Sequence, residues 1–288
     1  MFADDLNVFQ QFDQRVPLDE VKATLEKCQK RVHHWGKVNR VSFDAAKEHF
    51  VVLHPSAGSG PPFKLLGPLI DTDLRMHSCI DQVMSKVRPK INAILRMRGF
   101  YDVPQLLNQF KTHIWSLLEM NAGAIFHAAS SLLDRFDKAQ NSFLKEFDMT
   151  SEQAFLEFNF APPKLRRNIA MLGMLHKRVL GKCHPSFEHL LPWHADRFPE
   201  STGSGHSKRL YGHWCEATAH PALFAKSIFC FIDVYNNLPQ NVVDASCVTE
   251  FQAYLTQVAR TRCQLHDTEW ASSFCRRCEH YVRSTGHF

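Results

Sequence analysis

Beyond Asp73 the apolar residues of this 288-residue chain recur at helical spacing almost to its end, which limits the fold more than any other feature. Met76, Ile80, Val83, Val87 and Ile91 follow one another at intervals of three and four, the repeat that lays side chains along one helix face. Pro89 inside this run predicts a kink. Asp102 stands in capping position ahead of a second set, Val103, Leu106, Phe110, Ile114 and Leu117. Ile125, Ala129, Leu132, Phe136, Phe143 and Phe147 mark a third helix, and Thr150 with Gln153 makes a capping box for a short fourth. Pro162-Pro163 opens a helix through Arg178, stopped by Gly181. Two last helices are expected at about 221–236 and 246–262, joined by Leu238-Pro239.

Ahead of Asp73 the pattern is shorter and mixed. Residues 1–10 suit a hairpin with Asp4 and Asp5 at its turn. Leu18, Val21, Leu25, Cys28 and Val32 then mark an amphipathic helix ending near Gly36. Two strand-like runs, Phe50–Leu53 and Phe63–Ile70, flank the loop from Pro55 to Pro62 and predict a hairpin, with Gly67-Pro68 making the second run an edge strand or a kink. The stretch 181–220 is rich in His, Pro, Gly and Ser, and 199–208 reads as linker. Together these give an α+β fold class.

Composition excludes a few classes. Nine cysteines, an odd number scattered along the chain, do not form a disulfide framework and point to a reducing compartment. Met1 is followed by Phe-Ala-Asp-Asp rather than by the basic and apolar run of a signal peptide, and no window holds the ~18 apolar residues of a membrane span. The expectation is a soluble protein that is not secreted, in the nucleus or cytoplasm, without a membrane partner. A net charge of +5 fits a phosphate-bearing partner but fits many ordinary enzymes as well. The Ala57-Gly-Ser-Gly60 loop lacks the lysine of a phosphate loop, and the 17 histidines show no metal-hydrolase spacing.

Two adjacent acids at a hairpin tip can supply part of the carboxylate cage that holds two Mg²⁺ ions about 3.5–4 Å apart for nucleotidyl transfer. Alone, Asp4-Asp5 is as readily an exposed turn or a helix start. Its setting carries more. Phe2-Ala3-Asp4-Asp5 resembles the aromatic-x-Asp-Asp motif of reverse transcriptases. Trp35-Gly36-x-x-Asn39, then Ser42-Phe43-Asp44-x-x-Lys47-Glu48 and Phe50–His54, resemble the next block of the non-LTR (LINE-type) retrotransposon enzymes. Phe63-Lys64-Leu65-Leu66-Gly67-x-x-Ile70-Asp71 is similar to the block after it, the hairpin that grips the primer end. The similarity runs more loosely through a helical thumb to about residue 147 and returns at Phe231–Pro239.

The resemblance implies a partial palm at 1–72, built of β-hairpins and one helix, and a helical thumb at 73–150. A helical segment at 151–198, a linker at 199–220 and a helical C-terminal region at 221–288 follow. It implies Asp4 as a Mg²⁺ ligand with Asp5 beside it, Lys47 as the lysine that steadies the pyrophosphate leaving group, and Leu65, Leu66 and Gly67 as the primer grip. The partners implied are an RNA template and a DNA primer duplex. Lys47 reads equally as a surface lysine, and Leu65–Gly67 as strand core. The family's first catalytic aspartate and its fingers lie upstream of the Asp-Asp hairpin, where this chain has three residues. Asp71 and Asp73, beyond the primer grip, do not replace that aspartate. RNA-directed DNA polymerase activity is therefore not expected of this chain by itself, and a non-catalytic nucleic-acid-binding or protein-interaction role is the alternative.

Basic residues cluster at Lys86, Arg88 and Lys90, at Arg96 and Arg98, at Lys164, Arg166 and Arg167, and at Lys177 and Arg178. On a thumb they contact duplex phosphates; otherwise they are solvated helix faces. Cys263-x2-His266-x8-Cys275-x2-Cys278 offers four soft ligands for Zn²⁺, or two cysteines that are merely neighbours on a helix.

Overall fold

The structure, a computed structural model, describes residues 6–13, 15–56, 58–193, 206–212 and 226–275. It is mostly helical with one two-stranded antiparallel sheet. Helix α1 (Leu18–Val38) follows Pro17, carries Asp19 and Glu20 in its first turn, and buries only Val21 and Gly36 fully. At its end the chain folds back: Val41 N donates to the Gly36 carbonyl at 2.8 Å and the Asn39 side chain donates to the Trp35 carbonyl at 2.8 Å. A Cβ on Gly36 would meet the Phe43 ring at 2.6 Å and the Val41 carbonyl at 2.7 Å, so the return requires glycine.

The expected pairing of Phe50–Leu53 with Phe63–Ile70 is not formed. Val52 makes a single bridge to Ser59, and the second run folds on itself as β1 (Phe63–Lys64) and β2 (Leu69–Ile70), with Phe63 opposite Ile70. The cause is local. Leu66 and Gly67 both take positive φ, 50° and 124°, and Leu65 N donates to the Pro68 carbonyl at 3.0 Å. Two consecutive positive-φ residues make the tight turn whose twist suits a hairpin, and Pro68 needs no N–H there because only its carbonyl is used.

Helix α2 (His77–Arg96) runs continuously through Pro89, which leaves the Ser85 carbonyl without its usual helical donor. Helix α3 (Val103–Phe110) starts at a complete Asp102–Gln105 capping box and passes through one π-helical turn, Lys111–Trp115, into α4 (Ser116–Glu119). The third expected helix is broken: α5 (Ala122–Ile125) stops and α6 (Ser130–Lys145) begins after Ala129 in extended conformation. Thr150 and Gln153 cap α7 (Ser151–Phe158), and α8 (Pro163–Val179) follows Pro162 and ends before Gly181, whose φ is +67°. Then come α9 (Phe187–Leu190), α10 (Phe231–Asn236), α11 (Gln240–Val243) and α12 (Val248–Gln264).

Two apolar cores result. One gathers α2, α3 and α6 around Ile80, Val87, Phe110, Phe136 and Phe143. The other surrounds α8, joining Leu172 and Leu175 to Phe155, Tyr235, Phe251 and Trp270. At three places consecutive residues enter opposite cores: Ile125 and Phe126, Ala154 and Phe155, Phe160 and Ala161. The stretch expected as linker contributes as well. In its described part, 206–212, His206 and Leu210 are buried, Leu210 bridges Trp193, and the Asn236 amide bonds both the N–H and the carbonyl of Leu210. A solvated linker would leave those backbone groups to water; here a side chain satisfies them.

Candidate nucleic-acid interface

The basic clusters that look alike in sequence separate once their partners are known. Lys164 Nζ donates to Ser272 Oγ at 3.0 Å, and Arg167 pairs with Asp137 at 3.0 Å while only 5% exposed. Arg166 pairs with Glu119 and lies 3.6 Å over the Trp115 ring. Arg178 is buried, donating to the Leu191 carbonyl at 3.2 Å. These guanidinium groups and Lys164 hold helices together, so the duplex-contact reading of that region is corrected; Lys177 alone of the set is exposed. Lys111, whose Nζ donates to the Phe158 carbonyl, also lies near Trp115, and burial, then the Arg166 charge, hold its pKa below the ordinary lysine value.

The cluster on α2 is different. Between Asp81 and Asp102 the sequence has no acidic residue and five cations. Arg98 pairs with Glu146 at 3.0 Å, whereas Lys86, Arg88, Lys90 and Arg96 are exposed and have no ion pair among the described residues. Asp81 is itself taken by Arg135 at 2.7 Å. Helical geometry distributes the four. Val83, Met84, Val87, Ile91 and Ile94 face the core. Lys86 and Lys90, one turn apart, edge the solvent face on one side, Arg88 edges it on the other, and Arg96 lies near its middle with Pro89 and Ala93. The outcome is a helix whose outer face is bordered by positive charge on both sides.

The β1–β2 hairpin stands at the start of this helix. Asp71 Oδ2 accepts from Ser78 N at 3.1 Å, which anchors the strand end to the first turn of α2, and Ile70 packs against the first core. Leu65 is half-buried and Gly67 completes the tip, while Leu66 is exposed with φ 50°. For a branched leucine this backbone is uncommon and is held by the turn around it.

Lys47 closes a short 3-10 turn (Ala45–Lys47), is 84% exposed and lies 3.7 Å from Asp44. Glu48 next to it turns inward to His33, at 2.8 Å, and to Gln29. Asp4 and Asp5 lie outside the described residues. Among those residues no group of three or more His, Cys, Asp or Glu side chains is placed to hold a metal. Of the four soft ligands near the C-terminus, Cys263 sits in the second core with its thiol pushed up by burial, His266 is exposed just past α12, Cys275 is buried and Cys278 lies outside the described residues.

One polar constellation was invisible in sequence because its members are 59 and 69 residues apart. His176 Nδ1 lies 3.0 Å from the Tyr235 hydroxyl and Nε2 lies 3.1 Å from the Ala245 carbonyl. A carbonyl only accepts, so Nε2 carries the proton and Nδ1 accepts from the tyrosine. His206 Nε2 likewise donates to the Tyr235 carbonyl at 2.8 Å. Burial lowers both histidine pKa values and raises that of Tyr235. With all three side chains buried and bonded to each other or to backbone, the cluster is a structural network.

No helix among the described residues is long and apolar enough to cross a membrane. Comparison with protein-family models, curated proteins and solved structures finds no match for the chain.

Proposed function

We propose that the chain descends from the reverse transcriptase of a non-LTR (LINE-type) retrotransposon and that its described body binds a nucleic-acid duplex along α2. The observation that carries the binding is the acid-free span from Gln82 to Tyr101, with Lys86, Arg88, Lys90 and Arg96 exposed and without ion pairs among the described residues. Cations bordering a helix on both sides suit phosphates on both strands of a groove, and they bind any sequence, as a polymerase must. The adjoining hairpin tip at Leu65–Gly67 is then the primer grip. The ancestry itself rests on the ordered motifs from Asp4-Asp5 to Asp71, and the Mg²⁺ chemistry belongs to Asp4 and Asp5.

The test is fluorescence anisotropy with an RNA–DNA hybrid duplex over a salt series. Binding should weaken as salt rises, and Lys86→Gln/Lys90→Gln should flatten the slope of log K against log salt by about 2, near 0.9 for each phosphate no longer neutralised. Binding that ignores salt would remove the proposal. Primer extension with Mg²⁺ or Mn²⁺, compared with Asp4→Ala, separates a working polymerase from a binder without catalysis.

A further inference from the structure

At the far end of α2 the chain makes a short turn that displays two aromatic rings. Phe100 is 87% exposed and Tyr101 45% exposed. The turn is fixed from both sides. Phe100 N and Tyr101 N both donate to the Met97 carbonyl, at 2.9 and 3.2 Å, and Asp102 immediately begins the capping box of α3. A Cβ on Gly99 would meet nothing within 4 Å beyond its chain neighbours, so the turn is open at that residue.

A single exposed phenylalanine is ordinary. This one stands next to last in the span that has no acid from Gln82 to Tyr101, and it is four residues past the exposed Arg96. An apolar ring presented on a fixed turn at the end of a helix that carries exposed cations is a pairing that takes up unpaired nucleotides: the charges hold the backbone and the ring meets a base face. A base inside a duplex has both faces covered by its neighbours, so the ring can stack only where the strand leaves the duplex.

We propose that Phe100, flanked by Tyr101, is a stacking platform for an unpaired nucleotide at the end of a duplex bound along α2. This rests on the nucleic-acid reading of α2 and adds to it a preference for duplexes that carry a single-stranded overhang. The Phe100 ring belongs to neither core, so its removal leaves the body intact.

The experiment compares the full chain with Phe100→Ala and Phe100→Trp by anisotropy, using a blunt RNA–DNA hybrid and the same hybrid with a four-nucleotide overhang. The wild type should prefer the overhang by about tenfold, within the range that base–aromatic stacking supplies. Phe100→Ala should lose that preference while binding the blunt duplex as the wild type does, and Phe100→Trp should keep it. Equal affinity of the wild type for both probes, or an overhang preference that survives in Phe100→Ala, overturns the stacking platform and leaves the charge-based binding standing. Absence of binding to either probe overturns both.

Discussion

The guanidinium of Arg166 lies 3.6 Å above the ring of Trp115, and Phe160 stacks on the same indole with its centroid 5.1 Å away. Trp115 Nε1 donates to Gln140, whose amide nitrogen donates on to the Ala161 carbonyl. One side chain thus ties the π-helical turn after α3 to α6, α8 and the segment between α7 and α8.

Trp115→Ala should therefore cost about 3–5 kcal/mol of stability, as for other large aromatic truncations. Arg166→Lys, which keeps the charge and loses the planar stack, should cost about 1 kcal/mol. Urea unfolding followed by circular dichroism measures both, and neither variant should alter the salt dependence of the proposed duplex binding.

Arg167→Ala removes one partner of a buried pair and leaves Asp137 without its cation, at a cost of about 3–5 kcal/mol. The same unfolding assay reads it. A variant that loses duplex affinity but no stability would return Arg167 to the nucleic-acid surface.

Acid should weaken the second core. His176 and His206 have folded-state pKa values depressed below the unfolded value, so the unfolded chain binds more protons. Their neutral forms leave stability intact above the unfolded value of 6.5, and it falls as pH drops below that toward the folded values. The nearby charges are Lys208 and Glu250 for His176, and Arg209, Lys208 and Asp244 for His206. The unfolding midpoint should fall between pH 7 and pH 5, and less steeply in His176→Gln/His206→Gln.

Two glycines should resist even alanine. A Cβ on Gly58 would sit 2.2 Å from the Thr72 carbonyl oxygen, and one on Gly36 would strike both Val41 backbone and Phe43. Each substitution should cost about 1–3 kcal/mol, the usual penalty of overpacking. Gly123→Ala, with open space around it, serves as the control in thermal melts.

What could be read from sequence was what is decided within a few residues. The Asp102 and Thr150 capping boxes each involve a donor three positions away, and both formed. The core face of α2 was legible because a single core covers it. The break after α5 was not, since Ile125 and Phe126 serve different cores and a periodicity argument assumes one. The hairpin was misread because the Leu66-Gly67 turn closes at once, ahead of any pairing with the more distant Phe50–Leu53. For the site, the acid-free span was already present in the letters. That Arg166 and Arg167 differ from Lys86 and Lys90 depends on Glu119 and Asp137, which lie 47 and 30 residues away.

The three places where neighbouring residues enter opposite cores have a consequence for any attempt to divide the chain. Ending it after residue 150 would remove Ala154 and Phe160 from the first core and strip Phe126 of its edge-to-face partner Phe231. An isolated fragment of that length should aggregate or stay loose, while the whole should melt in one cooperative transition that calorimetry records as a single peak.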